Sequence, residues 1–348
     1  MMAFRMKSNL AAKGASCQQY WKRRRVMLAM LAPAIAAATP ALAQERVQLI
    51  LDWIPDGAYA AFYAGVAQGL YREAGIDLTI QRGFGSSDTV TKVATNVAQF
   101  GIADIAAVMA GRVRAQTPVR AIASIYTRPP HSIFVLEGSG INSFKDLEGR
   151  SLAGAPGSSV RVFLPLVMRN AGVDISRVRL INADPATMGP LLVTGQADAV
   201  TGFLTNKPRF DTMAAERNRQ VRVLQFADSL QIYGNALIAT EATIRGSPDL
   251  VRRFTAATVK SLEFARDNPD QAMTGMMAAV PGLNRVGDRG ALDVHNSLTF
   301  DSDVARRVPT GSFERAQLQR TWEAVAEAQG FDVRSVDPTI FVSTASLR

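Results

Sequence analysis

One order of elements occurs twice in this chain of 348 residues. A β-rich run, a helical stretch, a second run, a second helix and a third run follow one another. In the first copy the strands are Val47–Leu51, Ile76–Ile80 and Phe100–Asp104, and the helices span 58–74 and Ser87–Asn96. In the second copy the strands are Ser151–Ala155, Val178–Ile181 and Asp198–Phe203, and the helices span Ser158–Asn170 and 186–194. The third strands are entered alike, by Gly101-Ile102-Ala103-Asp104 and by Gly195-Gln196-Ala197-Asp198. Strands that alternate with helices specify parallel sheets covered by helices on both faces. Two such arrays predict two α/β lobes, each a mostly parallel sheet flanked by helices, with a cleft between them.

The linking segment, 121–136, reads as a strand pair broken by Arg128-Pro129-Pro130, where proline forbids a continuous helix and suits a hinge. Asn235–Thr240 is strand-like and is expected to return the chain to the first lobe. Helices are expected at 248–266, 269–279, 284–297 and 313–329. Ser247-Pro248 and Asn268-Pro269 give two of them a capping residue followed by proline in the first turn. The expected organisation is therefore 44–128 for the first part of lobe one, 129–234 for lobe two, and 235–348 for the return and the terminal helices.

Charge is distributed unevenly. The formal charge is +9, but residues 1–43 carry seven basic residues (Arg5, Lys7, Lys13, Lys22, Arg23, Arg24, Arg25) and no acid. The rest holds 32 of the 39 basic residues against all 30 acidic ones. A nucleic-acid partner needs a basic patch on the folded part, so that reading is set aside. Residues 1–43 read as an export signal: a basic region, an apolar stretch from Val26 to Ala38, and a small-x-small site at Ala41-Leu42-Ala43. The apolar stretch is shorter than the roughly 20 residues that span a bilayer. Processing after Ala43 would leave a periplasmic protein starting at Gln44, by the general secretory route or, given Arg24-Arg25, the twin-arginine route. Cys17, the only cysteine, falls inside the leader, so the processed chain has no thiol for a disulfide, a nucleophile or a metal site. The two histidines, His131 and His295, are far apart and read as surface or hinge residues, not as a zinc site or triad.

In open α/β sheets ligands sit beyond the carboxyl ends of the strands. The turns at 52–59, 83–88, 155–161 and 183–187 should therefore face the cleft, with helix N-termini presenting free N–H groups. The first turn holds Asp52, Trp53, Asp56 and Tyr59, followed by Phe62 and Tyr63, in a chain that is only 7% aromatic. Aromatic faces flanked by carboxylates suit a flat ring that donates hydrogen bonds; core packing and helix capping are the plainer roles for Phe62 and Asp56. The second and third turns both run from glycine into paired serines: Gly85-Ser86-Ser87 and Gly157-Ser158-Ser159. Such turns hold an anion or the polar edge of a ligand, or simply cap the helix. The lysine of a P-loop is missing. Arg161 would pair with an anion or stay solvated. Asp104 and Phe203 leave equivalent strands, Asn206 follows, and Tyr126 and Tyr233 lie near the two crossings.

The run Leu51-Asp52-Trp53-Ile54-Pro55-Asp56 resembles the periplasmic solute-binding proteins of ABC importers that handle thiamine pyrimidine precursors and, in sister branches, sulfonates, taurine and nitrate. Phe62-Tyr63, Gln68-Gly69-Leu70-Tyr71, Glu73-Ala74-Gly75-Ile76-Asp77-Leu78 and Gly85-Ser86-Ser87-Asp88-Thr89-Val90 extend the likeness. So do Phe100-Gly101-Ile102-Ala103-Asp104 and Lys145-Asp146-Leu147-Glu148-Gly149-Arg150. The likeness runs from about Val47 to about Asp270 and implies a type II periplasmic binding fold. The pyrimidine branch commonly has asparagine where this chain has Asp56, histidine where it has Tyr59 and glycine where it has Ala61, which points to a changed ligand. The pyrimidine synthases of this fold carry a cysteine-rich motif that the processed chain lacks, so no enzymatic activity and no cofactor are expected.

The expected function is capture of a small flat heterocycle for delivery to an inner-membrane permease, by a monomer. Trp53 and Tyr59 would stack on the ligand, and Asp52 and Asp56 would accept its N–H groups. The alternative ligand is a small anion such as an alkanesulfonate, taurine or nitrate, held by Ser158, Ser159 and Arg161. An enzyme on this fold, or a sensory module, are the readings from other classes.

Overall fold

A computed structural model describes residues 44–228, 230–346 and 348. The expected leader, with Cys17 and the cleavage site, lies outside the described residues. No helix among the described residues is long and apolar enough to cross a membrane.

Ten strands form two five-stranded sheets. The first contains β1 (Glu45–Ile50), β2 (Ile76–Gln81), β3 (Phe100–Asp104), β4 (Val119–Ser124) and β10 (Asn235–Thr240), in the order β2-β1-β3-β10-β4. The second contains β5 (His131–Leu136), β6 (Ser151–Gly154), β7 (Arg179–Asn182), β8 (Ala199–Phe203) and β9 (Val221–Gln225), in the order β7-β6-β8-β5-β9. β1 pairs in parallel with β2 and β3, and β6 with β7 and β8. β10 is antiparallel to β3 and β4, and β5 is antiparallel to β8 and β9.

The single reversed strand of each sheet is the one that arrives from the other lobe. The chain leaves β4 at its carboxyl end and enters β5; it leaves β9 the same way and enters β10. A strand that starts where the others finish must run against them. The sheets are therefore mixed, where strand–helix alternation alone implies parallel order. Every residue of β3, β5 and β10 is buried, and each strand has an apolar centre without polar alternation. Edge strand β2 keeps more exposed positions.

The expected helix at 58–74 is three pieces: a 3-10 turn at Gly57–Tyr59, a helix at Ala60–Ala67 and a short helix at Leu70–Glu73. Gly69 separates the last two with φ +77°, a left-handed conformation that cannot continue a right-handed helix. The helix Ile105–Ala115 adds to the expected elements: its first five residues are all buried and so carry no polar–apolar period. The helix Lys207–Ala215 and β9 add to them likewise.

The terminal helices Pro248–Asp267, Pro269–Ala279, Arg285–Phe300 and Arg315–Gln329 follow β10. Phe254 of the first stacks on Phe100 of β3 with ring centroids 4.1 Å apart. Arg285–Phe300 packs on Lys207–Ala215 of the second lobe. Arg315–Gln329 contacts both Ile105–Ala115 and Val160–Asn170, so the tail touches both lobes.

Candidate binding site

The carboxyl ends of both sheets converge on one cavity. The first lobe contributes Asp52, Trp53, Asp56, Ala58, Tyr59, Gly85, Ser86 and Tyr126; the second contributes Ser158, Ser159, Gly202, Phe203, Thr205 and Asn206. The lobes touch around it. The Ser87 N–H donates to the Gly157 carbonyl at 3.0 Å. Gly85 has φ +125°, and a Cβ on it would stand 2.4 Å from the Gly157 carbonyl carbon. Glycine is required there by backbone conformation and by the approach of the other lobe.

Asp52 is 2% exposed, yet both of its oxygens have donors. Tyr59 Oη donates to Oδ1 at 2.7 Å, Ser86 Oγ to Oδ2 at 3.2 Å, and Asn235 Nδ2 reaches each oxygen at 3.1 Å. Burial pushes the Asp52 carboxyl up to about 6, against these stabilising hydrogen bonds. Asp52 therefore organises three neighbours, and its acceptor capacity is spent on them.

Asp56 is 3% exposed and differently placed. Its Oδ1 caps the following turn, accepting the Ala58 N–H at 3.0 Å. Its Oδ2 has only the Asn206 amide, at a long 3.5 Å, reaching across from the second lobe. Burial first, and then the nearby Asp288 carboxylate, push Asp56 up to about 7. Asp288 itself accepts the N–H groups of Gly57 and Asn284. One oxygen of Asp56 thus remains available to a ligand N–H.

Two hydroxyls in the wall are backed by buried histidines. Tyr126 Oη lies 3.1 Å from His295 Nδ1, and Ser159 Oγ lies 3.2 Å from His131 Nε2. His131 Nε2 is also 3.0 Å from Asp104 Oδ2, but without the alignment of a hydrogen bond; its hydrogen-bond geometry is with Ser159 Oγ. Both histidines are buried, which corrects the surface reading, although His131 does open β5 at the first crossing.

Five of the predicted site residues do not line the cavity. Phe62 is buried in the core of the first lobe, on an almost wholly apolar helix. Asp104 is fully buried behind the wall, where Oδ1 caps Ala106 and the backbone N–H meets Ser86 Oγ. Ser87 points to a neighbouring groove, together with Arg161. The Arg161 guanidinium donates to the Gly154 carbonyl and to Asn182 Oδ1, so it braces the β6–β7 ends. Tyr233 packs on Phe313, and its hydroxyl accepts the Glu314 N–H. The reading missed Ala58, Gly202 and Thr205, which have no chemical signature, and Asn235, which was visible only as the start of a strand.

The lining has two carboxylates, three aromatic side chains beside them in the first lobe, and no lysine or arginine. Such a wall accepts hydrogen bonds, stacks on planar rings and offers an anion no cation.

Comparison with known proteins agrees with this frame. The chain is 25% identical to the riboflavin-binding protein RibY of Chloroflexus aurantiacus over 247 residues, 68% of this chain and 67% of that one. It is 26% identical to the formylaminopyrimidine-binding protein of Halalkalibacterium halodurans over 238 residues, 68% and 71% of the two chains. Other relatives are named as synthases of 4-amino-5-hydroxymethyl-2-methylpyrimidine phosphate. The alkanesulfonate-binding protein SsuA of Xanthomonas axonopodis shares the fold, with a TM-score of 0.63 at 13% identity, over 88% of this chain and 99% of that one. The family model described as NMT1/THI5 like matches residues 57–272, and the chain belongs to that family.

Proposed function

We propose that this protein is the solute-binding component of an ABC importer, which captures a small flat heterocycle of the aminopyrimidine class and delivers it to a membrane permease. The observation that carries this is the chemistry of the wall: Asp56 with an oxygen held only by the long Asn206 contact, beside Trp53 and Tyr59, and no cationic side chain lining the cavity. Trp53 and Tyr59 stack on the ring and Asp56 accepts its exocyclic N–H. The relatives named for formylaminopyrimidine and riboflavin, both ligands with flat nitrogen heterocycles, support the same class. An alkanesulfonate or nitrate would need Arg161, which is engaged with Gly154 and Asn182 outside the cavity.

In this reading the protein acts in the periplasm as a monomer, after removal of the leader near Ala43. Residues 44–128 and the return from 235 form one jaw, 129–234 form the other, and ligand is sequestered by hinge closure. An enzymatic role would need a nucleophile–base pair or a bound co-reactant facing the cavity. Turnover of a pyrimidine by the purified protein would overturn the transport reading.

The test is a thermal-shift and calorimetric screen of the purified protein with formylaminopyrimidine, riboflavin, an alkanesulfonate and nitrate. A cognate ligand at 100 times its dissociation constant stabilises by about 2.7 kcal/mol. A shift with the heterocycles supports the proposal. A shift with the anions alone removes it.

A further inference from the structure

The two buried histidines share an arrangement. Each has one ring nitrogen against a hydroxyl of the cavity wall and the other buried without a partner. His295 presents Nδ1 to Tyr126, while its Nε2 has none; His131 presents Nε2 to Ser159, while its Nδ1 has none. The unpartnered face of His131 is apolar: its ring lies 5.0 Å from Phe163, 5.4 Å from Phe203 and 6.1 Å from Phe226. Burial pushes His295 down to about 3, so it carries a single ring proton at neutral pH.

That proton has two possible seats. On Nε2 it would be a buried N–H with no acceptor, which native structures avoid more strictly than an unused lone pair. On Nδ1 it is donated to Tyr126 Oη. The same comparison seats a proton on Nε2 of His131, where it points at Ser159 Oγ and lies beside the Asp104 carboxylate. A hydroxyl that accepts from a histidine keeps its own hydrogen for another partner. No other side-chain hydrogen bond of Tyr126 or Ser159 is present among the described residues.

We propose that His295 and His131 are positioning residues that set the hydrogen-bond polarity of the cavity. They turn Tyr126 and Ser159 into donors, one from each lobe, in the cavity that the acceptor Asp56 also lines. The ligand then carries acceptor atoms, ring nitrogens or a carbonyl, facing Tyr126 and Ser159, and an N–H facing Asp56. An aminopyrimidine or a formamide-bearing ring meets all three demands; a purely donor amine or a purely acceptor anion meets only part of them. The inference rests on the heterocycle reading for its ligand, but not for its proton positions.

Two measurements test it. The chain has two histidines, so long-range ¹H–¹⁵N correlation spectra of the labelled, ligand-free protein resolve both rings, assigned with His131→Gln and His295→Asn. The expected result is a proton on Nδ1 of His295 and on Nε2 of His131. A proton on Nε2 of His295, or an unprotonated Nε2 in His131, overturns the proposal, whatever the protein binds. The second measurement is calorimetry with formylaminopyrimidine. His295→Asn keeps a donor near the Nδ1 position and should retain affinity within about threefold. His295→Leu removes it and should lose at least tenfold. Tyr126→Phe should lose as much, and the double substitution no more than either alone. Additive losses, or wild-type affinity in Tyr126→Phe, overturn the proposal. If the wild type binds no heterocycle, the functional reading fails while the spectra still decide the proton positions.

Discussion

The two lobes build the same sheet and bring different chemistry to its end. In the first, the turn after β1 supplies Asp52, Trp53, Asp56 and Tyr59, and Tyr126 comes from the crossing. In the second, the turns after β6 and β8 supply Ser158, Ser159, Thr205 and Asn206. The equivalent exits of β3 and β8 hold Asp104 and Phe203, and both flank His131. Shared topology therefore fixes where a ligand contacts the protein, but not with which groups. The first lobe lines the cavity with both carboxylates and three aromatic side chains; the second lines it with hydroxyls, an amide and Phe203.

That contrast is broken most sharply at Asp56. Asp56→Asn should lower affinity for an N–H-bearing heterocycle at least a hundredfold, measured by calorimetry. It should also raise the melting temperature of the empty protein at pH 8. The folded-state value of about 7 lies above the ordinary 3.8, so the native state holds more protons between those values. Its contribution to stability thus falls as pH rises across that window. Relief of the buried charge should be worth about 1–3 kcal/mol at pH 8, and should shrink towards pH 4. Unchanged affinity would mean that Asp56 does not face the ligand; an unchanged melting temperature at pH 8 would mean that burial does not push its carboxyl up.

Gly85→Ala attacks the meeting of the lobes. Its Cβ would overlap the Gly157 backbone, so the lobes should be held apart. A tenfold or greater affinity loss and a larger radius of gyration in small-angle scattering are expected. Trp53→Ala should cost roughly ten- to thirtyfold by removing a stacking face. For a ligand that does not titrate between pH 6 and 8, affinity should fall about tenfold from pH 8 to pH 6 as Asp56 takes up a proton. Smallest of all, Arg161→Ala should change heterocycle affinity by less than threefold. A large loss there, with sulfonate binding in the wild type, would reverse the roles assigned to the lobes.

The duplicated strand–helix order, the proline-marked crossing and the return at Asn235 were legible because each rests on local pattern: alternation, turn residues and caps. The acidic, aromatic turn after β1 was legible for the same reason, since a turn is an unusual place for an indole. Strand direction was not, because it depends on which end of the sheet the chain re-enters. Nor was the division of labour between Asp52 and Asp56, which are four residues apart and alike in sequence. Asn235 saturates one, from a strand that follows the whole second lobe, and Asp288 presses on the other from a terminal helix. The sequence by itself determined the two lobes and three of the turns that line the cavity; the expected turn at 183–187 does not line it, and the turn after β8 does. Only the tertiary structure decided which carboxylate keeps acceptor capacity, that Arg161 is occupied, and that the histidines stand behind the wall. Hydrogen-bond satisfaction in a buried site is settled by partners that chain distance does not reveal.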